Sequence, residues 1–377
     1  MDLDLSQEHE LLRNTVREFA TERVAPVADE LDRESRFPYE LVAEMAELGL
    51  MGIPIPEEYG GAGSDTLAYA IAIEELTRID SSVAITVAAH TSLGTMPIFL
   101  YGTDEQKSEW LPQLASGQKL AAFGLTEADA GSDAGATRTR AEERDGQWIV
   151  NGSKIFITNA GTDISACVTI TAITAEGEVS NVIVPNGTPG YTISPPMHKL
   201  GWHASDTREL SFKDVAVPEG NLLGERGRGF VQFLEILDGG RISVAAMGVG
   251  LAQGAYDLAY AYAQDRRQFG KPISSFQAVQ FKLADMATEI EAGRALVYRA
   301  AWLKDQGRPF ALAAAQAKLY TGELSNRVVN ASLQMHGGYG FMEESAIARL
   351  YRDQKVLEIG EGTNEVQRMV IAKHLGL

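Results

Sequence analysis

Leu12, Val16 and Phe19 stand at i, i+4 and i+7 in a stretch that is otherwise largely charged, and this spacing predicts an amphipathic helix with one buried stripe. Helical spacing of this kind runs from residue 5 to about 120, and Thr103 with Gln106 in "TDEQ" predicts a capping box opening a further helix. Between about 121 and 226 the pattern changes to short runs rich in Val, Ile and Thr, among them "QWIVNG", "KIFITN", "CVTITAIT" and "SNVIVP". Gly, Pro and Asn-Gly turns punctuate these runs, which predict an antiparallel β domain. From about 227 the helical period returns, with Leu283, Met286 and Ile290 at i, i+3 and i+7. The organisation expected is α+β: an N-terminal helical domain over 1–120, a middle antiparallel β domain over 121–226 and a C-terminal helical domain over 227–377. No repeat of fixed period and no low-complexity linker separates them, so the three parts should pack tightly.

The most apolar long window, "VAITVAAHTSLGTMPIFLYG", changes this picture little. It carries His90, several hydroxyls and Pro97, which predict a buried core helix followed by a break, with no membrane span. The apolar fraction of 45% is ordinary for a globular chain of 377 residues. A net charge of -18 with no run of Lys or Arg argues against nucleic acid or anionic membrane as a partner. Cys167 is the single cysteine, which excludes an internal disulfide and any Cys-based zinc site and fits a reducing cytoplasm. The first residues, "MDLDLSQEHE", have neither the apolar core of a secretory signal nor the arginines of a transit peptide, so a cytoplasmic location is expected.

Several common chemistries find no residues here. "GVGLAQG" (Gly248, Gly250, Gly254) has its third glycine one residue late for a dinucleotide fingerprint and follows an Ala-rich helical run, so close helix packing is the better reading. There is no phosphate-binding loop, no His-Glu-x-x-His and no Gly-x-Ser-x-Gly, and the histidines are scattered, so no metal site is expected. What remains is Glu361, set between Gly360 and Gly362 in "LEIGEGTNEVQR". The segment reads either as a helix-ending glycine followed by the acidic first turn of a new helix, or as a main chain bent close to a bound molecule at which the carboxylate points.

Four further stretches bear on that choice: "FGLTEADAGSDAGATRTRA", "GSKIFITNA", "DRRQFGKPISSFQ" and "LQMHGGYGF". Singly each has a plain explanation: a polar turn, a buried strand, a capping box between Ser274 and Gln277, and a glycine cluster ending a helix. In this order, and together with "EEYGGAG", "LDGGRI", "FQAVQFKLADMA" and "RDQKVLEIGEGTNEVQR", they resemble the acyl-CoA dehydrogenases over essentially the whole chain, most closely the short-chain and bacterial branches.

The resemblance implies that the C-terminal domain is a four-helix bundle, and it implies one FAD per subunit and α,β-dehydrogenation of a short- to medium-chain or short branched acyl-CoA to the trans-2-enoyl-CoA. Glu361 would remove the α-proton while the β-hydrogen passes as hydride to flavin N5. Phe123, Leu125, Thr126, Gly131 and Ser132 match the family's flavin loop, and Ser132 also matches a serine that touches the CoA ligand. Phe156, Ile157 and Thr158 match the strand that covers the flavin ring. Arg266 and Gln277, with Gln334, Met335, His336, Gly337 and Gly338, match residues around an FAD held by the neighbouring subunit. Thr363, Asn364 and Glu365 open a helix suited to the flavin phosphates, and Asp238, Arg241 and Gly362 match substrate contacts. A homotetramer and electron transfer flavoprotein as acceptor are implied; an oxygen-using oxidase and an inactive scaffold of the same fold are the alternatives. The pattern is departed from in three places: Phe156 replaces a common Trp, His203-Ala204 a common Arg-Gly, and Gly240 stands where some branches carry their base.

Overall fold

The computed structural model describes residues 4–377; Met1, Asp2 and Leu3, which the expected first domain and the leader reading include, lie outside the described residues. Up to Ala115 the chain is helical, and the expected stripe is present: Val16 and Phe19 are buried, and Leu12 packs against the same core. The capping box at Thr103 forms as expected, with Gln106 N–H donating to Thr103 Oγ1 at 3.3 Å and Thr103 N–H to Gln106 Oε1 at 3.0 Å.

The break expected at Pro97 does not occur. The segment from Ser81 to Tyr101 stays helical, widened to a π-helix over Ala89–Thr95, and Pro97 is taken up just after that widened turn, at the start of Met96–Tyr101. By length and composition this is the one helix among the described residues able to cross a membrane, and 83% of its apolar window is buried inside the protein. The π segment docks on the first strand: His90 Nδ1 accepts from Ala121 N–H at 3.2 Å while its Nε2 lies 2.9 Å from Leu114 O.

The β region is an eight-stranded sheet in the order Tyr191–Ile193, Thr207–Pro218, Gln147–Thr158, Arg140–Arg144, Ser165–Ala175, Glu178–Pro185 and Leu222–Leu223, with Leu120–Gly124 joined to Ser165–Ala175. Most pairings are antiparallel as expected, but Leu120–Gly124 and Arg140 pair in parallel with Ser165–Ala175. "QWIVNG" and "KIFITN" are not two strands around a turn. They form one strand, Gln147–Thr158, and Asn151-Gly152 makes an irregularity within it; Gly152 has φ +147°, and a β-carbon there would lie 2.5 Å from Thr139 Oγ1.

The C-terminal part has three long helices, Gly229–Asp265, Gln277–Asp305 and Ala311–His336, and two short ones, Ala346–Asp353 and Asn364–His374. The glycines of "GVGLAQG" are packing contacts: β-carbons at Gly250 and Gly254 would lie 2.3 and 2.1 Å from the carbonyl oxygens of Glu74 and Arg78. These approaches weld the N-terminal helices to the C-terminal ones, so both helical regions share one apolar core, while the sheet encloses its own. The capping box of Gln277 with Ser274, the plain alternative for that stretch, is absent. Phe276 is the N-cap without a side-chain bond, because Pro272 starts a 3-10 turn over Ile273–Ser275 that takes up Ser274.

Candidate active site

Glu361 lies in the short connection between the 3-10 turn Gln354–Glu358 and the helix Asn364–His374. Of the three residues Gly-Glu-Gly, the glutamate itself is left-handed, with φ +53°, and Gly362 follows at φ +91°. A non-glycine residue in that region is held there by its surroundings, and here the effect is to turn the side chain inward. Glu361 Oε2 is buried without a hydrogen-bond partner. It reaches the helix Gly229–Asp265 at Gly240, where a β-carbon would stand 2.2 Å from that oxygen and 3.2 Å from Leu93 Cδ2.

Burial pushes Glu361 up to about 7, against the pull of Arg241 and Lys318. Arg241 is buried and paired with Asp238 one helical turn away, yet its Nε has no hydrogen-bond partner. Desolvation lowers Arg241, with Asp238 and Glu361 opposing. Two unpartnered buried polar atoms of opposite type, Glu361 Oε2 and Arg241 Nε, mark a place that a polar ligand can complete. Gly362, expected to contact substrate, closes the same turn.

The residues expected to form a flavin loop lie at the start of the sheet. Phe123 stacks on Phe233 with centroids 3.9 Å apart, Leu125 is buried beside it, and Thr126 O accepts from Ile155 N–H at 2.9 Å. Gly131 and Ser132 lie in an exposed turn, and Gly131 has nothing close to its β-carbon position. On the strand Gln147–Thr158 the residues separate by face. Phe156 is 61% exposed with φ +64° and Thr158 is half-buried, whereas the Ile157 side chain is in the sheet core, leaving only its main chain for a cofactor. Phe156 thus offers an open aromatic face, and Thr158 a hydroxyl, against which a flat ring system fits.

Beneath the loop lies a pair that the sequence reading did not single out. Lys154 is fully buried and donates to Glu127 Oε1 at 2.7 Å, Thr171 Oγ1 at 3.0 Å, Thr137 Oγ1 at 3.1 Å and Leu125 O at 3.2 Å. Glu127 in turn accepts from the N–H groups of Arg138 and Thr139. Burial would raise Glu127, but Lys154 and these donors hold it at about 2. Both ends of the segment from Leu125 to Thr139 are thereby tied to one charged pair.

A second group surrounds a groove of about 410 Å³ lined by Arg266, Met335, His336, Gly337, Gly338 and Tyr339, among others. The Arg266 guanidinium lies 5.5 Å from the Tyr339 ring centroid, and His336 stacks on Tyr262 at 4.5 Å. Cation, aromatic faces and bare glycine backbone suit a nucleotide and its phosphates. Gln277 and Gln334 are exposed nearby in sequence but do not line this groove. Thr363 caps the final helix through Val366 N–H, Glu365 is exposed in its first turn, and Asn364 turns inward with Oδ1 3.4 Å from Lys318 Nζ. His203 sits elsewhere, 2.9 Å from Lys199 O and 3.1 Å from Asp32.

Compared with known proteins, the chain matches the N-terminal, middle and C-terminal domains of acyl-CoA dehydrogenase over residues 6–118, 122–215 and 227–376. It is 50% identical to "Probable acyl-CoA dehydrogenase YngJ" of Bacillus subtilis (strain 168), covering 100% of both chains. Among solved structures, butyryl-CoA dehydrogenase from Megasphaera elsdenii superposes with a TM-score of 0.97 at 43% identity, covering 100% of both chains. Acyl-CoA dehydrogenase complexed with FAD from Bacillus anthracis gives a TM-score of 0.94 at 35% identity, over 99% of this chain and 67% of that one.

Proposed function

The chain belongs to the acyl-CoA dehydrogenase family, and from that membership we propose that it uses FAD to desaturate a short- to medium-chain or short branched acyl-CoA, with Glu361 as the base. One observation carries the assignment of the base: an enclosed carboxylate oxygen, without a hydrogen-bond partner, opposite a helix position that has no side chain. The α-proton of a thioester is a very weak acid, so the base must be desolvated and close to its own pKa at working pH. A value of about 7 meets that need. Negative charge that develops on the thioester oxygen requires donors already in place, and the Glu361 N–H is the proposed one from this chain. FAD, when bound, accepts the β-hydrogen with its electron pair.

Residues of the chain do the rest. Phe156 and Thr158 would face the ring system, the loop from Phe123 to Ser132 would border it, and Asp238 and Arg241 would flank the pantetheine arm. The Arg266 groove would take the nucleotide part of an FAD from a second subunit. Phe269, 92% exposed, and Phe341, 79% exposed, are large apolar surfaces that an oligomer would cover. A homotetramer, a cytoplasmic location and electron transfer flavoprotein as oxidant complete the proposal.

Anaerobic mixing with butyryl-, isobutyryl-, hexanoyl- and octanoyl-CoA tests it. Bleaching of bound flavin by at least one of them, with no peroxide formed in air at a comparable rate, is expected. A protein that binds no flavin, or that reduces oxygen as fast as it oxidises substrate, contradicts it.

A further inference from the structure

Lys318 is a lone lysine in "AAAQAKLYTG", inside the helix Ala311–His336, and it is fully buried. A buried ammonium is costly unless it is bonded, and this one has a specific target. Its Nζ donates to Gly362 O at 2.8 Å, with Asn364 Oδ1 at 3.4 Å. Gln367, also fully buried, donates from Nε2 to the same Gly362 O at 2.9 Å and to Glu361 O at 3.2 Å. Gly362 O is therefore held twice, by a cation in a neighbouring helix and by a side chain of the helix that follows, and that side chain also holds Glu361 O.

We propose that Lys318 and Gln367 are positioning residues for Glu361, fixing the left-handed Glu361–Gly362 turn that aims the carboxylate. The proposal rests on the reading of Glu361 as the base. Every charged group near the carboxylate enters the argument. Arg241, tied to Asp238, reaches Glu361 from the helix Gly229–Asp265, and Tyr69 lies within its field from the helix Thr66–Ile79. Glu358 and Glu365 act on Lys318 from either side of the turn. Lys318 and Arg241 both favour the ionised carboxylate, so removing Lys318 leaves Arg241 to oppose desolvation alone. Desolvation holds Lys318 itself down to about 8, with Glu361 opposing, which keeps it mostly charged at neutral pH.

Single-turnover flavin reduction by butyryl-CoA, followed against pH in the FAD-loaded protein, tests this in wild type, Lys318→Gln, Lys318→Arg and Gln367→Leu. Lys318→Gln should bind FAD, react at least about tenfold more slowly at neutral pH and move the rising limb of the profile upward by about one unit. Lys318→Arg should return that limb towards its wild-type place. Gln367→Leu keeps the charge, so it should slow reduction without moving the limb. An unmoved limb in folded Lys318→Gln, or a rate within twofold of wild type in Gln367→Leu, overturns the proposal. If Lys318→Gln does not fold, the Gln367→Leu rate decides. Wild type that no acyl-CoA reduces would overturn the reading of the enzyme itself. Reduction of wild type with unaltered variants would overturn only the positioning roles.

Discussion

A β-carbon on Gly240 would lie 2.2 Å from the Oε2 of Glu361, so two residues far apart in sequence converge on one point from different elements. The obstructing atom is the end of a flexible side chain, so Gly240→Ala should fold but displace the carboxylate. Misplacing a catalytic group by about 1 Å can cost on the order of 100-fold. The expected outcome is normal flavin content with flavin reduction slowed by roughly that factor. The convergence also makes the base movable. Glu361→Gly should be inactive, and adding Gly240→Glu should restore measurable reduction by butyryl-CoA, more than by isobutyryl-CoA. A double variant that is yellow, binds ligand and is as inactive as Glu361→Gly would show that the two positions do not serve one carbon.

Protonation of Glu361 should govern the pH profile. With the carboxyl raised to about 7 by burial, flavin reduction at low substrate should climb about tenfold per unit below that value and level off above it. Stability has the opposite sign. The folded pKa exceeds the ordinary value of 4.5, so the contribution is full below about 4.5 and is lost as pH rises through 7. Glu361→Gln should therefore raise the thermal midpoint over wild type at pH ~8.5 and leave it nearly unchanged at pH ~4.5. An equal difference at both values would refute a raised pKa.

Lys154→Met should damage the flavin loop more than its distance from the chemistry suggests. It strands Glu127 as an uncompensated buried charge, an effect of about 3–5 kcal/mol, and releases both ends of the loop. Lower FAD content and a fall in the unfolding midpoint are expected. Changing Glu127→Gln together with Lys154→Met should recover most of the loss. Calorimetry and the flavin-to-protein absorbance ratio check this.

The sequence spoke most clearly where local periodicity decides structure. The stripe of Leu12, Val16 and Phe19, the Thr103 capping box and the three regimes all follow from spacing. It misled where tertiary contacts override local signals. Asn151-Gly152 looks like a turn but lies inside a strand, because Thr139 crowds the position Gly152 leaves bare. Pro97 looks like a break, but the π turn before it keeps the helix running. The flanking glycines flagged a special backbone at Glu361 correctly, although the left-handed residue is the glutamate as well as Gly362. Lys318, Gln367 and Lys154 were illegible as partners, since a lysine on a helix or strand reads as surface until the neighbouring element is known.

The central claim is that Glu361 is the base, and one variant tests it most directly. Glu361→Gln keeps size and shape and removes only the ability to take a proton, so fold, FAD content and acyl-CoA affinity should match wild type. Anaerobic stopped-flow reduction of its flavin by the best acyl-CoA should be slower by about 100- to 10,000-fold. A variant that keeps a tenth or more of the wild-type rate would place the base elsewhere.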